Sequence, residues 1–149
     1  MGYKTTVELA RHYLDTQRIL GRTVEEIIHN HKRFQKAVLR GQIEQERHLD
    51  PDELVFLDRA IPDARAYYRY LGLTEDELLT NAIAAASYKK IFILEPLPLV
   101  NDYARLENNS EQIRLHELLV EVYSALPFPV VTVPSMPAHE RVQSILKEL

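Results

Sequence analysis

The chain has 149 residues, 46% hydrophobic and 27% charged, with a formal net charge of -4 at pH 7; this supplies one sizeable core, leaves no length for a second domain, and excludes disorder throughout. The acidic balance argues against non-specific nucleic-acid binding, which depends on clustered Lys and Arg, and the absence of cysteine excludes disulfides, thiolate metal sites and cysteine nucleophiles. No apolar run reaches the roughly 20 residues of a membrane-spanning helix, and the polar start Met1-Gly2-Tyr3-Lys4-Thr5-Thr6 has no signal-like core, so the expectation is a cytoplasmic chain without membrane insertion.

In chain order, Tyr3–Val7 reads as a short β-rich piece running into a helix from Glu8, with Gly21 as its stop. Thr23 caps a second helix, Glu26 completing a capping box, and the apolar spacing carries that helix to about His48. Leu54-Val55-Phe56-Leu57 has the length and continuity of a strand buried on both faces and ends in Asp58-Arg59. Pro62 and Asp63 open a helix closed by Gly72, and Thr74 caps the next with Glu77 as partner. Ile91–Leu94 is another buried strand, stopped by Glu95-Pro96-Leu97-Pro98. A polar stretch, Asn101 to Gln112, precedes a helix bearing Ile113, Leu118, Leu119, Val122 and Tyr123. Val130–Val133 is the last strand, ended by Pro134, and a final helix starts near Ala138. Helices alternating with apolar strands indicate an α/β fold with a mainly parallel sheet, whose ligands bind beyond the carboxyl ends of the strands. Those ends carry Asp58-Arg59, Glu95 and Ser135.

Asp58 follows four apolar residues, as a Walker B carboxylate does, where it holds Mg²⁺ through water or takes a proton from a substrate hydroxyl. The alternative is an ordinary acidic residue ending a strand. Arg59, Arg105 and Arg114 are candidate phosphate clamps, because guanidinium forks match phosphate oxygens bidentately. The long polar segment around Arg105 suits a mobile lid, and its alternative is a solvated loop with Arg114 in a surface ion pair. Glu8 and Arg11 stand three apart, a spacing that favours a pair on their own helix over a substrate contact. No histidine has a partner at metal-ligand spacing. Tyr67, Tyr68 and Tyr70 with Arg65 and Arg69 fit base stacking on nucleic acid less simply than a half-buried amphipathic helix.

Taken together, several segments resemble one family. Gly2-Tyr3…Glu8-Leu9-Ala10-Arg11 looks like a "G-[YF]…E-x-A-R" element, and Leu54–Asp63 like an "hhhhDRG-h-P-D" signature followed by Ala66-Tyr67-Tyr68. Ile91–Pro98 looks like an "hFhL-x-PLP" strand end, Asp102-x-x-Arg105-x-Glu107 like a lid, and Val133-Pro134…Glu140-Arg141-Val142 like a last strand-loop-helix. The order is that of the AAA-type P-loop ATPase/kinase-like domain related to the ribosylnicotinamide kinase part of NadR. The resemblance implies a P-loop NTPase (nucleotide-kinase-like) parallel sheet flanked by helices, ATP or GTP with Mg²⁺, and a small-molecule acceptor. Under it Asp58 is the Walker B-type carboxylate and Mg²⁺ ligand through water. Arg59 faces the acceptor site with Glu8, Arg11 and Asp63; Arg105 and Arg114 are lid arginines; and Pro134 to Arg141 lies near the nucleotide.

The family's opening strand and G-x-x-x-x-G-K-[ST] loop have no counterpart here, and Ala60 stands where the family usually has glycine. By comparison with the P-loop unit, roughly 25–30 residues are absent. The expectation is therefore an N-terminally truncated ATPase or kinase domain, inactive as given, lacking its first central strand and its phosphate loop. A non-catalytic ligand- or protein-binding regulatory module is the alternative. Without that strand, at most four strands are expected. The segments at 54–57 and 91–94 then pair with each other, recruit a second copy through their open edges, or leave the chain poorly stable.

Overall fold

The computed structural model describes residues 2–97 and 109–149. Two compact units divide the chain, Met1–Ala86 and Ser87–Leu149.

The first unit is mainly helical around one parallel strand pair. β1 (Lys4–Thr5) leads into α1 (Leu9–Ile19), which ends just before Gly21, whose φ of 85° reverses the chain. The capping box at Thr23 is present in full: its side chain accepts from the Glu26 N–H, and the Glu26 carboxylate accepts from the Thr23 N–H at 3.0 Å. The helix it starts, α2 (Val24–His29), does not run on to His48. Asn30 interrupts it with φ -92° and ψ 70°, and its side chain caps α3 (His31–Arg47) by accepting from the Arg33 N–H. Asparagine offers the backbone a local partner that competes with the helical one, so apolar periodicity continues through a real break.

β2 (Val55–Phe56) is shorter than the apolar run that marks it. Leu54 is exposed, and Val55 and Phe56 are half-buried. Its neighbour β1 is itself exposed, so pairing on one side leaves the expected double burial unmet. α4 (Ile61–Tyr70) follows, with Pro62 in its first turn, and α5 (Glu77–Ala85) is capped by Asp76 rather than Thr74. Asp76 accepts from the Leu79 N–H at 3.1 Å, which starts the helix two residues later than a Thr74 cap would. α3 packs against α1, α2 and α4, and α4 against α5, around Leu14, Leu39, Ala66, Tyr68 and Leu79.

The second unit pairs β3 (Ile91–Leu94) with β4 (Val130–Val133) in parallel, joined through α6 (Asn109–Ser124) and followed by α7 (Ala138–Lys147). Ile91, Ile93 and Tyr123 form its core with Tyr88, Leu119 and Phe128 against them. Ile91 and Ile93 are buried, Phe92 is half-buried and Leu94 exposed, so β3, like β2, lacks the burial on both faces expected of its continuous apolar run. Among the described residues there are four strands, the most that was expected, in two parallel pairs, β1 with β2 and β3 with β4; direct pairing of 54–57 with 91–94, one of the three expected outcomes, is not among them. The last four residues of the expected polar stretch, Asn109–Gln112, are already helical.

Candidate functional site

The register of the first strand pair assembles the site. Lys4 lies opposite Val55 and Thr5 opposite Phe56, and the Thr6 N–H continues the ladder to the Phe56 carbonyl at 3.0 Å. Parallel strands with that offset bring Glu8 level with Arg59, each three residues beyond its last ladder partner. The Glu8 carboxylate then binds two arginines: Arg59 Nε at 3.4 Å and Arg11 Nε at 3.5 Å. The pair with Arg11 is the one its helical spacing indicates. The pair with Arg59 depends on register and has no local signal.

Arg59 is held from three sides. Its Nη1 donates to the Tyr67 hydroxyl at 3.0 Å, and its guanidinium lies 5.4 Å from the Tyr67 ring centroid. Its backbone takes φ 65°, the left-handed region where a side chain is strained. Burial on its own would lower the guanidinium pKa. Tyr67, Glu8, Asp63 and Asp58 more than offset that and hold it above its ordinary value. Asp58 is exposed and, among the described residues, makes no ion pair or hydrogen bond. Its carboxylate is open to a ligand while its neighbour is anchored.

Asp63 has a different position. Buried at the start of α4, it accepts from the Ala60 N–H at 3.0 Å, while the Ile61 N–H goes to Glu46 Oε1 at 3.0 Å. Pro62 has no N–H to offer, and the Asp63 N–H reaches the Ala60 carbonyl. Two carboxylates of the chain itself therefore fill the N-terminus of α4, and Asp63 caps its first turn. Alanine at position 60 costs no backbone strain, because its φ of -144° is open to any residue. Glu46, not singled out from the sequence, and Tyr67, weighed there only for base stacking, complete this region. Tyr67 lies inside the signature following Asp63, whereas nothing in the spacing marks Glu46.

The other candidates belong to the second unit or lie outside the described residues, as do Arg105, Asp102 and Glu107. Arg114 is exposed on α6 and pairs with Glu117 at 3.4 Å. The Pro134 carbonyl accepts from Arg141 Nε at 3.2 Å, and Arg141 Nη2 donates to the Glu95 carbonyl. Arg141, itself buried, thus ties together the chain segments leaving β3 and β4, and this use of its guanidinium was not legible from sequence.

No group of three or more His, Cys, Asp or Glu side chains able to hold a metal occurs among the described residues. One free carboxylate such as Asp58 does fit Mg²⁺, which keeps most of its water and takes the rest of its ligands from substrate phosphates. A nucleotide triphosphate fits less well: no glycine loop is present in the sequence, and the α4 amides are already engaged. No helix among the described residues is long and apolar enough to cross a membrane.

Parallel strand pairs connected through helices, with an acid–arginine step at one strand end, define a mixed α/β chain compatible with P-loop-type architecture. A family model described as an AAA domain matches residues 1–141, and the chain belongs to that family. At the level of the family this is a nucleotide-binding, ATPase- or kinase-like domain. No match was found among curated proteins or among solved structures.

Proposed function

We propose that the chain is the acceptor-side portion of a nucleotide-dependent ATPase or small-molecule kinase domain, related to the ribosylnicotinamide kinase part of NadR. On this reading the phosphate-cradling glycine loop is supplied by residues other than these 149. The observation that carries the reading is the exposed, unpaired Asp58 beside the Arg59–Glu8–Arg11 set, at the carboxyl ends of two parallel strands. Asp58 would hold Mg²⁺ through water, and the ion would supply charge neutralisation at the phosphates. Glu8 keeps Arg59 at a fixed angle, Arg59 and Arg11 present positive charge to the acceptor, and Tyr67 keeps the guanidinium from swinging into solvent. Arg105 belongs to this proposal as a lid arginine and Arg114 as a more distant phosphate contact.

Mg-ATP titration and turnover, on this chain and on one extended upstream through a glycine loop, test the proposal. In the extended protein Asp58→Asn should lower turnover by about 100-fold or more with little change in the unfolding midpoint. Wild-type turnover in that variant removes Asp58 from the mechanism. If neither chain binds nucleotide, the non-catalytic binding module is the better description. The engagement of Arg59 by Glu8 and Tyr67 is what favours that second reading.

A further inference from the structure

The first unit has a second polar site, on the opposite half of α3 from Glu46. A shallow, open cleft of about 470 Å³ is lined by Tyr13, Asn30, Ala37 and four cations, Lys32, Arg33, Lys36 and Arg40. Its size falls in the range of small-molecule sites. The charge there runs against the rest of the molecule. No acidic residue occurs between Glu26 and Glu44, although the chain as a whole carries a net charge of -4.

Local helix energetics also disfavour this arrangement. Lys32 and Lys36, Arg33 and Lys36, and Lys36 and Arg40 are three or four residues apart, so like charges share one helix face. Lys32 and Arg33 occupy the first turn of α3, where the helix dipole is already positive, and that turn has no acidic residue. α2 has Glu25 and Glu26 in the same place. Among the described residues only Lys36 of the four cations has a carboxylate partner, Asp76 at 2.9 Å. Lys32, Arg33 and Arg40 are exposed and have no ion-pair partner among the described residues. The Asn30 side chain is already spent on the Arg33 N–H, so an anion here would be met by side chains and not by the helix terminus. Tyr13, fixed edge-on against Phe34 at 5.7 Å, supplies a flat wall.

We propose that this cleft binds a small phosphorylated ligand, its phosphate gripped by Arg33 and Arg40 with Lys32 beside them. It is distinct from the strand-end site: Lys36 and Glu46 are ten residues apart on one helix, about 15 Å at 1.5 Å rise per residue. Guanidinium pairs suit phosphate oxygens better than point-like ammonium groups do, which makes the two arginines the specificity elements.

The test is calorimetric titration of the 149-residue chain with inorganic phosphate and with pyrophosphate, alongside amide shift mapping by NMR. Saturable binding is expected, with shifts centred on Tyr13, Arg33, Lys36 and Arg40. Arg33→Gln with Arg40→Gln should weaken it by at least about tenfold, the loss expected when a charge-assisted hydrogen bond goes. The charge-matched control, Arg22→Gln with Arg47→Gln, changes two exposed arginines elsewhere in the unit and should leave binding unchanged. Equal weakening in both double variants would reduce the effect to net charge and overturn the proposal. So would wild-type shifts scattered away from the cleft, or no saturable binding of either anion. None of these readouts involves Mg-ATP or Asp58, so the result is independent of the strand-end site.

Discussion

Arg59 combines an unfavourable backbone with a favourable side chain, and substitution separates the two. At φ 65° any residue with a Cβ is strained by about 1 kcal/mol, and glycine is not. The side chain contributes three terms. Its ion pair with Glu8 is about one-third exposed at the arginine (33%) and, discounted for solvent screening, is worth roughly 0.5 kcal/mol. The hydrogen bond to Tyr67 adds about 1 kcal/mol and the cation–π contact about 0.5. Arg59→Ala loses all three and keeps the strain, so it should destabilise by about 2 kcal/mol. Arg59→Gly loses the same contacts and sheds the strain, so it should cost only about 1. Urea unfolding followed by far-UV circular dichroism would read both, provided the m-values agree. A glycine variant no more stable than the alanine variant would show that the left-handed backbone at Arg59 stores no strain.

Asp63→Ala should destabilise by about 2 kcal/mol, since the buried Ala60 N–H loses its acceptor, while Asp63→Asn keeps an oxygen there and should cost less than half as much; equal losses in the same urea assay would remove the capping role. Hydrogen bonding from Lys36 and from the Leu79 N–H holds the Asp76 carboxyl below its ordinary pKa. The folded state therefore resists protonation, and this stabilisation is complete above the unfolded value near 4 and fades as pH falls toward the lower folded value. Asp76→Asn should flatten the acid limb of the midpoint–pH curve below about pH 4, and an unchanged limb would assign it to other carboxylates. Arg141→Met should cost about 3 kcal/mol by leaving the Glu95 and Pro134 carbonyls without their donor, against a negligible effect of Arg114→Met on the exposed face of α6; a thermal melt showing equal effects would count against the tie.

Local signals were legible in the sequence and long-range ones were not. The capping box at Thr23, the Pro62 helix start, the strands at 91–94 and 130–133 and the final helix all rest on residues within a turn or two of each other. The failures came where two local signals competed. Asn30 broke a helix whose apolar period continued, and Asp76 displaced Thr74 as a cap, as its stronger acceptor favours. At the candidate site, Glu8–Arg11 was readable from spacing, but Glu8–Arg59 spans 51 positions and depends on which residue of one strand faces which of the other. Arg141, which the family resemblance puts near the nucleotide, binds the Pro134 and Glu95 carbonyls, and burial against carbonyls leaves no mark on the sequence.

The pairing offset of the first strand pair makes the site sensitive to chain length as well as to residue identity. Glu8 and Arg59 meet because equal numbers of residues separate each from its last ladder partner. One codon inserted between Phe56 and Asp58 would move Asp58 into the place level with Glu8, setting two carboxylates side by side where an acid and a base now attract. One codon deleted there would bring Ala60 level with Glu8 and leave the carboxylate only Arg11. Compensation would require the matching insertion or deletion between Thr5 and Glu8, fifty residues earlier in the gene. Paired length changes, rather than paired substitutions, are thus the genetic signature expected of this contact, and a two-indel rescue experiment would detect it.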